Sequence, residues 1–328
     1  MRDLVLNLSL ALGLLVLLAA GLLLGETQLT AAQLAQAFAE PGSGPHEVLF
    51  AIRLPRTVAA AVVGAALGLS GAVLQGLLRN PLADPGVLGV AGGAGLGAAL
   101  AISLGFAAMP GAVEAASLAA ALAAGLLLTA VAARFREPET LILFGVALSA
   151  FAGALTSLVF NFSPSPVTLQ EVFSWLLGSV ENRDWDDIGR ELIPMAVGAG
   201  LCAYAARGLV MLTLGEETAA LSGLPMARLR TAAVAGASLL TGAAVAMAGI
   251  VGFVGLAAPH LVRAGAGADP GRVLVPSALA GAGLLVAADL AARLIPTDLE
   301  LKLGVVTALF GGPLFALIAW RAARSWRG

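Results

Sequence analysis

Apolar residues gather along this chain into blocks of about 20, separated by shorter stretches where charges and prolines collect. The blocks lack the every-second-residue alternation of barrel strands, so each predicts a helix. A helix needs about 20 apolar residues to cross a hydrocarbon core of about 30 Å, and lipid offers no partner to an open strand edge. By that criterion, spans fall at Leu4–Leu24, Val58–Leu78, Val87–Leu104, Val113–Ala133, Leu141–Val159, Leu192–Leu212, Thr231–Ala248, Val251–Ala266, Val273–Leu294 and Leu303–Ala319. The expected fold is all-α: one polytopic membrane domain, residues 1–328, with about ten transmembrane helices. Val87–Leu104 is glycine-rich, and Val251–Ala266 is short and contains Pro259, so nine is the alternative count. Such a short segment fits a half-length helix buried among its neighbours. The first block exceeds the roughly 7–15 apolar residues of a secretory signal and is read as a span.

Composition agrees with a lipid solvent: 59% of residues are hydrophobic and 12% charged, against about 25% charged in soluble domains. The 41 glycines, with abundant alanine, suit helices that pack closely where lipid supplies no hydrophobic drive. Net charge is −2 and no basic tract points to nucleic acid. The single cysteine, Cys202, falls inside an apolar run, which rules out a disulfide framework or a cysteine metal site.

Charge position gives the topology. With the N-terminus cytoplasmic, the inside carries Arg2, Arg79, Arg134, Arg136, Arg207, Arg228, Arg230, Arg263, Arg272, Arg321, Arg324 and Arg327. The outside keeps Arg53, Arg56, Arg183, Arg190, Arg293 and Lys302. The excess inside places both termini and the segment at about 209–230 in the cytoplasm. Segments from Glu26 to Ile52 and from Asn161 to Arg190 then face outward; the first is loop-like at Pro41–Pro45, and Trp175 and Trp185 in the second read as interfacial anchors.

Several chemistries drop out. A phosphate-binding loop needs a lysine after glycine, and the one lysine, Lys302, follows Leu301, so ATP hydrolysis is not expected here. His46 and His260 are assigned to opposite sides of the membrane, which leaves no shared metal or catalytic site. Gly92 to Gly97 lies within an apolar span and reads as close helix packing rather than a dinucleotide loop. An ion-coupled transporter would need ionisable groups at mid-membrane. Asp289 is the nearest case, and Arg293 four residues on can neutralise it.

Arg53-Leu-Pro-Arg56 precedes a Gly/Ala-rich helix that leads into Gln75-Gly-Leu-Leu-Arg-Asn80-Pro81-Leu82-Ala-Asp84-Pro85-Gly86. Together these resemble the permeases of iron-chelate and vitamin B12 ABC importers. Gly252-Phe-Val-Gly255-Leu-Ala-Ala-Pro259-His260-Leu-Val-Arg263, Ala288-Asp289-Leu-Ala-Ala-Arg293 and Gly304-Val-Val-Thr307-Ala-Leu-Phe-Gly311-Gly-Pro313 continue the resemblance in order, from about Leu49 to the C-terminus.

The resemblance implies a homodimer of ten-helix subunits in a bacterial inner membrane, with a translocation path between the two copies. Two cytoplasmic ATPase subunits would carry ATP and magnesium, an outer substrate-binding protein would deliver cargo, and this chain would bind no cofactor of its own. It implies that Gly215, Glu216, Ala219, Gly223, Leu224 and Pro225 form an ATPase-coupling loop. Arg53, Arg56 and Arg293 would receive acidic residues of the binding protein, and Asn80, Pro81 and Leu82 would narrow the inner mouth. Ser222 stands where an apolar residue is common in that family. The implied cargo is a corrinoid such as vitamin B12, haem or a ferric siderophore. The rival readings are an ion-coupled secondary transporter and a membrane scaffold.

Overall fold

Every backbone polar group inside lipid needs an internal partner, and the chain answers with helices. The computed structural model describes residues 2–25, 27–135, 137–267, 269–295 and 301–325, without the side chains of residues 87, 318, 319 and 321–325. Glu26, Arg136 and Arg327 therefore lie outside the described residues, as do the side chains of Arg321 and Arg324. In order, the helices are α1 (Arg2–Leu23), α2 (Ala31–Ala39), α3 (Gly44–His46) and, after a π-helical turn at Glu47–Arg53, α4 (Leu54–Leu78). A 3₁₀ turn at Pro85–Leu88 leads to α5 (Val90–Ser103), α6 (Ala112–Arg134), α7 (Pro138–Asn161), α8 (Pro166–Leu176) and α9 (Trp185–Leu212). Then follow α10 (Glu216–Leu221), α11 (Met226–Ala248), α12 (Val254–Ala266), α13 (Pro270–Leu294) and α14 (Leu303–Ser325). No strand occurs among the described residues.

The ten expected spans correspond in order to α1, α4, α5, α6, α7, α9, α11, α12, α13 and α14. Seven helical stretches among the described residues are long and apolar enough to cross alone. The other three are shorter in their apolar part: α5 has 14 residues, α12 has 13, and the apolar part of α14 runs over Leu303–Leu317. The chain leading into α12 leaves the helix at Gly249 and re-enters it at Val254.

Two boundaries differ from the sequence expectation. The segment between α1 and α4 is not all loop: Thr30 caps α2 through a reciprocal bond with Gln33, and the helix leading into α4 begins at Gly44 rather than Val58. The π-helical turn precedes Pro55, whose ring removes an N–H and crowds the turn before it; a widened turn relieves both. The segment at about 209–230 is shorter than expected, because α11 starts at Met226 rather than Thr231, while α9 ends at Leu212 as expected. Arg228 and Arg230 thus lie on the first turns of α11, where hydropathy alone saw polar loop.

α4 and α11 are the buried centre, while α1 turns Leu4, Leu8, Leu12 and Leu15 outward, as a lipid-facing helix does. α4 and α13 touch backbone to backbone. A Cβ at Gly64 or Gly68 would overlap the carbonyls of Gly281 and Ser277, and one at Gly71 would overlap that of Gly255 at the start of α12. Gly97 backs onto the Ala116 carbonyl in the same manner, so the glycines of α5 serve helix packing.

Gly68→Leu should therefore lower the thermal midpoint of the purified subunit in detergent, through about 1–3 kcal/mol of overpacking. Gly13→Leu, where nothing lies within 4 Å, should leave it unchanged. Equal midpoints for the two variants would refute close approach as the organising contact.

Candidate functional site

Three clusters of the expected residues are built at opposite ends of the bundle. At the end where α1 stops and α4 starts, Asp289 of α13 lies between two arginines: Arg56 at 2.8 Å and Arg293 at 2.7 Å. Asp289 is 2% exposed, Arg293 6% and Arg53 5%. Two guanidinium groups share that carboxylate, the charge of Arg53 lies near enough to act on Arg293, and the surplus positive charge is answered by the C-terminal end of α1. Arg53 donates to the carbonyls of Leu22 and Leu23, each at 3.0 Å, and to that of Thr27. Arg293 donates to the Gly21 carbonyl at 3.1 Å. The last carbonyls of a helix carry its partial negative charge, so these arginines act as side-chain caps. Gly21 and Gly25 leave them room.

The sequence expectation had Arg53, Arg56 and Arg293 available to acidic residues of a partner. The structure brings all three together, but turns them inward onto Asp289 and α1, because the polar ends of three helices meet there out of water. The expected pairing of Asp289 with Arg293 is present, and Arg56 joins it from a different helix.

At the other end of α4, Arg79 takes a left-handed conformation (φ 49°) that ends the helix. Asn80 then folds an Asx turn, its Oδ1 accepting from the Leu82 N–H at 2.9 Å while its carbonyl accepts from Ala83 at 3.1 Å. Asn80, Pro81 and Leu82 form one compact turn. The Asp84 side chain caps the following 3₁₀ turn at the Gly86 N–H, 2.7 Å away. Burial raises the Asp84 carboxyl above its ordinary range, and the Gly86 bond opposes that rise.

The segment between α9 and α11 forms a knuckle. Gly215 (φ 97°) opens it, and Glu216 of α10 pairs with Arg230 of α11. At its close, the Gly223 N–H bonds the Ala220 carbonyl at 3.0 Å and the Leu224 N–H bonds the Ala219 carbonyl at 3.2 Å. That is a Schellman motif, and its left-handed residue, Gly223 (φ 82°), is the glycine the motif favours. The break at Gly223 and Pro225 separates α10 from the start of α11. Ala219 is buried against the bundle, whereas Leu221 is 84% exposed and Leu214 also faces outward. Pro225 leads into α11.

The model of the FecCD transport family matches residues 13–321. The chain belongs to that family. It is 40% identical over 314 residues to the vitamin B12 import system permease protein BtuC of Vibrio vulnificus, covering 95% of this chain and 92% of that one. It is 39% identical over 286 residues to an uncharacterised ABC transporter permease protein, YvrB, of Bacillus subtilis, covering 85% and 80%. Among solved structures it resembles an inward-facing conformation of a putative metal-chelate type ABC transporter, with a TM-score of 0.86 and 32% identity over 96% of this chain and 98% of that one. These relatives are transport subunits, and this FecCD-family chain is a membrane permease rather than an enzyme.

Sequence reasoning missed one feature of this FecCD fold. A cavity of about 780 Å³ opens beside α8, walled by Gln170, Glu171, Ser174 and Trp175 of that helix and by Glu114, Glu181, Arg183 and Lys302. Arg183 reaches Glu114 at 2.6 Å, tying the start of α6 to the α8–α9 connection, and Lys302 lies 3.6 Å from Glu181. In the sequence Arg183 shows only its charge; its partner is 69 residues away, and no local pattern announces it. Trp175, read as a membrane anchor, has a buried indole nitrogen, whereas Trp185 is half exposed.

Asp289→Asn should destabilise the subunit by about 3–5 kcal/mol, since it leaves two buried guanidinium groups without their counter-charge. Denaturation of purified subunit in detergent measures this. A loss near the size of a single surface pair would show that the cluster is solvated.

Proposed function

We propose that this chain is the membrane-spanning subunit of an ATP-binding-cassette importer that moves a bulky metal chelate inward by alternating access. The cargo inferred is vitamin B12 or a related corrinoid, with haem and ferric siderophores as the other members of that class. The FecCD match and the names of the relatives support this reading. The structural observation that carries it is α10: a short helix outside the span set, closed by a rigid glycine turn, pinned to α11 by Glu216–Arg230, and presenting Leu214 and Leu221 to a partner.

In this reading two copies pair around the cargo path, and two cytoplasmic ATPase subunits dock on the two α10 knuckles. ATP and magnesium reside on those subunits. A change in the distance between the knuckles passes through Arg230 into α11 and tilts the bundle, opening it to alternate sides. An outer substrate-binding protein meets the end that carries Arg53, Arg56 and Arg293. There the positive surplus of the cluster steers acidic groups, although the side chains are held within the subunit. The subunit lies in a bacterial inner membrane with both termini cytoplasmic. Asp289, the acid an ion-coupled reading would use, is held between two arginines, which disfavours that reading.

Vesicles reconstituted with the ATPase and binding-protein partners, offered corrinoids, haem and ferric siderophores, should accumulate one class in an ATP-dependent way. No accumulation, with no cargo-stimulated ATP hydrolysis, would overturn the reading. A thiol introduced as Ser222→Cys should resist an impermeant maleimide applied to intact cells; rapid labelling from outside would reverse the topology.

Gly223→Val puts a β-branched residue in a left-handed position, at a local cost of about 1–2 kcal/mol, and should distort the knuckle without removing a span. ATP hydrolysis by the assembled transporter should persist while uptake per ATP falls several-fold, by roughly the factor that such an energy corresponds to. Uptake and hydrolysis measured side by side decide this, and an unchanged ratio would refute coupling through α10.

A further inference from the structure

Two motifs that the coupling scheme leaves without a task meet at one side chain. Gln75, near the inner end of α4, is 3% exposed. Its carboxamide oxygen accepts from Arg263 Nη2 at 2.6 Å, and its nitrogen donates to the Ala83 carbonyl at 3.2 Å and the Gly255 carbonyl at 3.4 Å. Arg263 is on the last turn of α12 and Gly255 on its first; Ala83 directly follows Asn80-Pro81-Leu82. The backbone closes the same junction. The Gln75 carbonyl accepts from the N–H groups of Arg79 and Asn80, and the Pro85 ring lies so near Gly255 that a Cβ there would meet it at 2.7 Å.

A primary carboxamide offers an acceptor and two donors in one plane, and here each is used. A carboxylate would keep Arg263 but give up both donors. Leucine would leave a half-buried guanidinium, the half-buried Ala83 carbonyl and the buried Gly255 carbonyl short of partners, and partly satisfied networks away from water lose more than the sum of their bonds.

We propose that Gln75 and Arg263 are positioning residues that latch the inner turn to α12. Arg263 holds the carboxamide, and the carboxamide holds Ala83, and through it Asn80–Leu82, at a set distance from the short helix. One nitrogen serves both Ala83 and Gly255, so displacement of α12 against α4 is passed directly to the turn. The proposal rests on reading that turn as part of the inner mouth of the transport path.

The test uses the complete transporter in vesicles with the inner face outward, carrying Leu82→Cys as a reporter and labelled by an impermeant maleimide with and without ATP plus vanadate. Cys202 is fully buried and does not compete. Gln75→Leu, Gln75→Glu and Arg263→Met should each raise the labelling rate roughly three- to ten-fold and abolish its response to nucleotide. Arg263→Lys, which still donates to the Gln75 oxygen, should stay within about twofold of the parent. Parent-like rates in inserted Gln75→Leu and Arg263→Met would overturn the latch. If Gln75→Leu fails to insert, the contrast between Arg263→Met and Arg263→Lys decides, and equal rates for that pair would equally overturn it. A parent rate indifferent to nucleotide counts against the ATP-driven reading, while the basal rates of the variants still decide the latch.

Discussion

The backbone-to-backbone contact between α4 and α13 is the constraint on which the other features depend. Lipid gives two apolar helices no hydrophobic reason to associate, so dispersion at close range and satisfied polar groups must do it. Gly64, Gly68 and Gly281 let the two helices approach until main-chain atoms touch, and Gly71 brings α12 onto the same face of α4. With α4 held against α13 and α12, its two ends are fixed as well. One end places Arg56 beside Asp289, and the other places Gln75 beside Arg263.

The two polar ends of α4 solve the same problem differently. At the end that carries Arg56, two arginines hold one aspartate with Arg53 close by, and the imbalance is met by a helix terminus rather than by a second acid: α1 ends where Arg53 and Arg293 collect its last carbonyls. A terminus that would otherwise hold unsatisfied acceptors is thereby joined to a cluster with surplus donors. At the other end a neutral carboxamide takes the arginine, which leaves its two donors for carbonyls of the turn and of α12. The first arrangement ties helices into a fixed frame. The second ties a turn to a half-length helix, the kind of junction that can shift as a unit.

Between these ends, α11 connects the α10 knuckle to the far side of the bundle. Its first turns carry Arg230, paired with Glu216, and its last carbonyl, at Ala248, accepts from the Ser179 N–H just after α8 at 2.8 Å. The wall of the cavity beside α8 is thus bonded to the same buried helix that the α10 knuckle grips. α11 is a single buried rod bonded at both ends, with no charged residue in its middle.

What the sequence determined by itself was local: ten apolar segments set by hydropathy within a window, the turn at Gly223 set by its own backbone freedom, and the Asp289–Arg293 pair set by one turn of helix. The half-length of α12 was legible too, from its brevity and Pro259. What only the tertiary structure decided were the contacts between distant residues. Arg56 and Asp289 lie 233 positions apart, and Gln75 and Arg263 lie 188 apart. Hydropathy placed Arg53, Arg56 and Arg293 near helix ends but could not say which way they point. Side-chain direction there depends on where α1 ends relative to α4 and α13, and glycine contacts between helices far apart in sequence set that geometry.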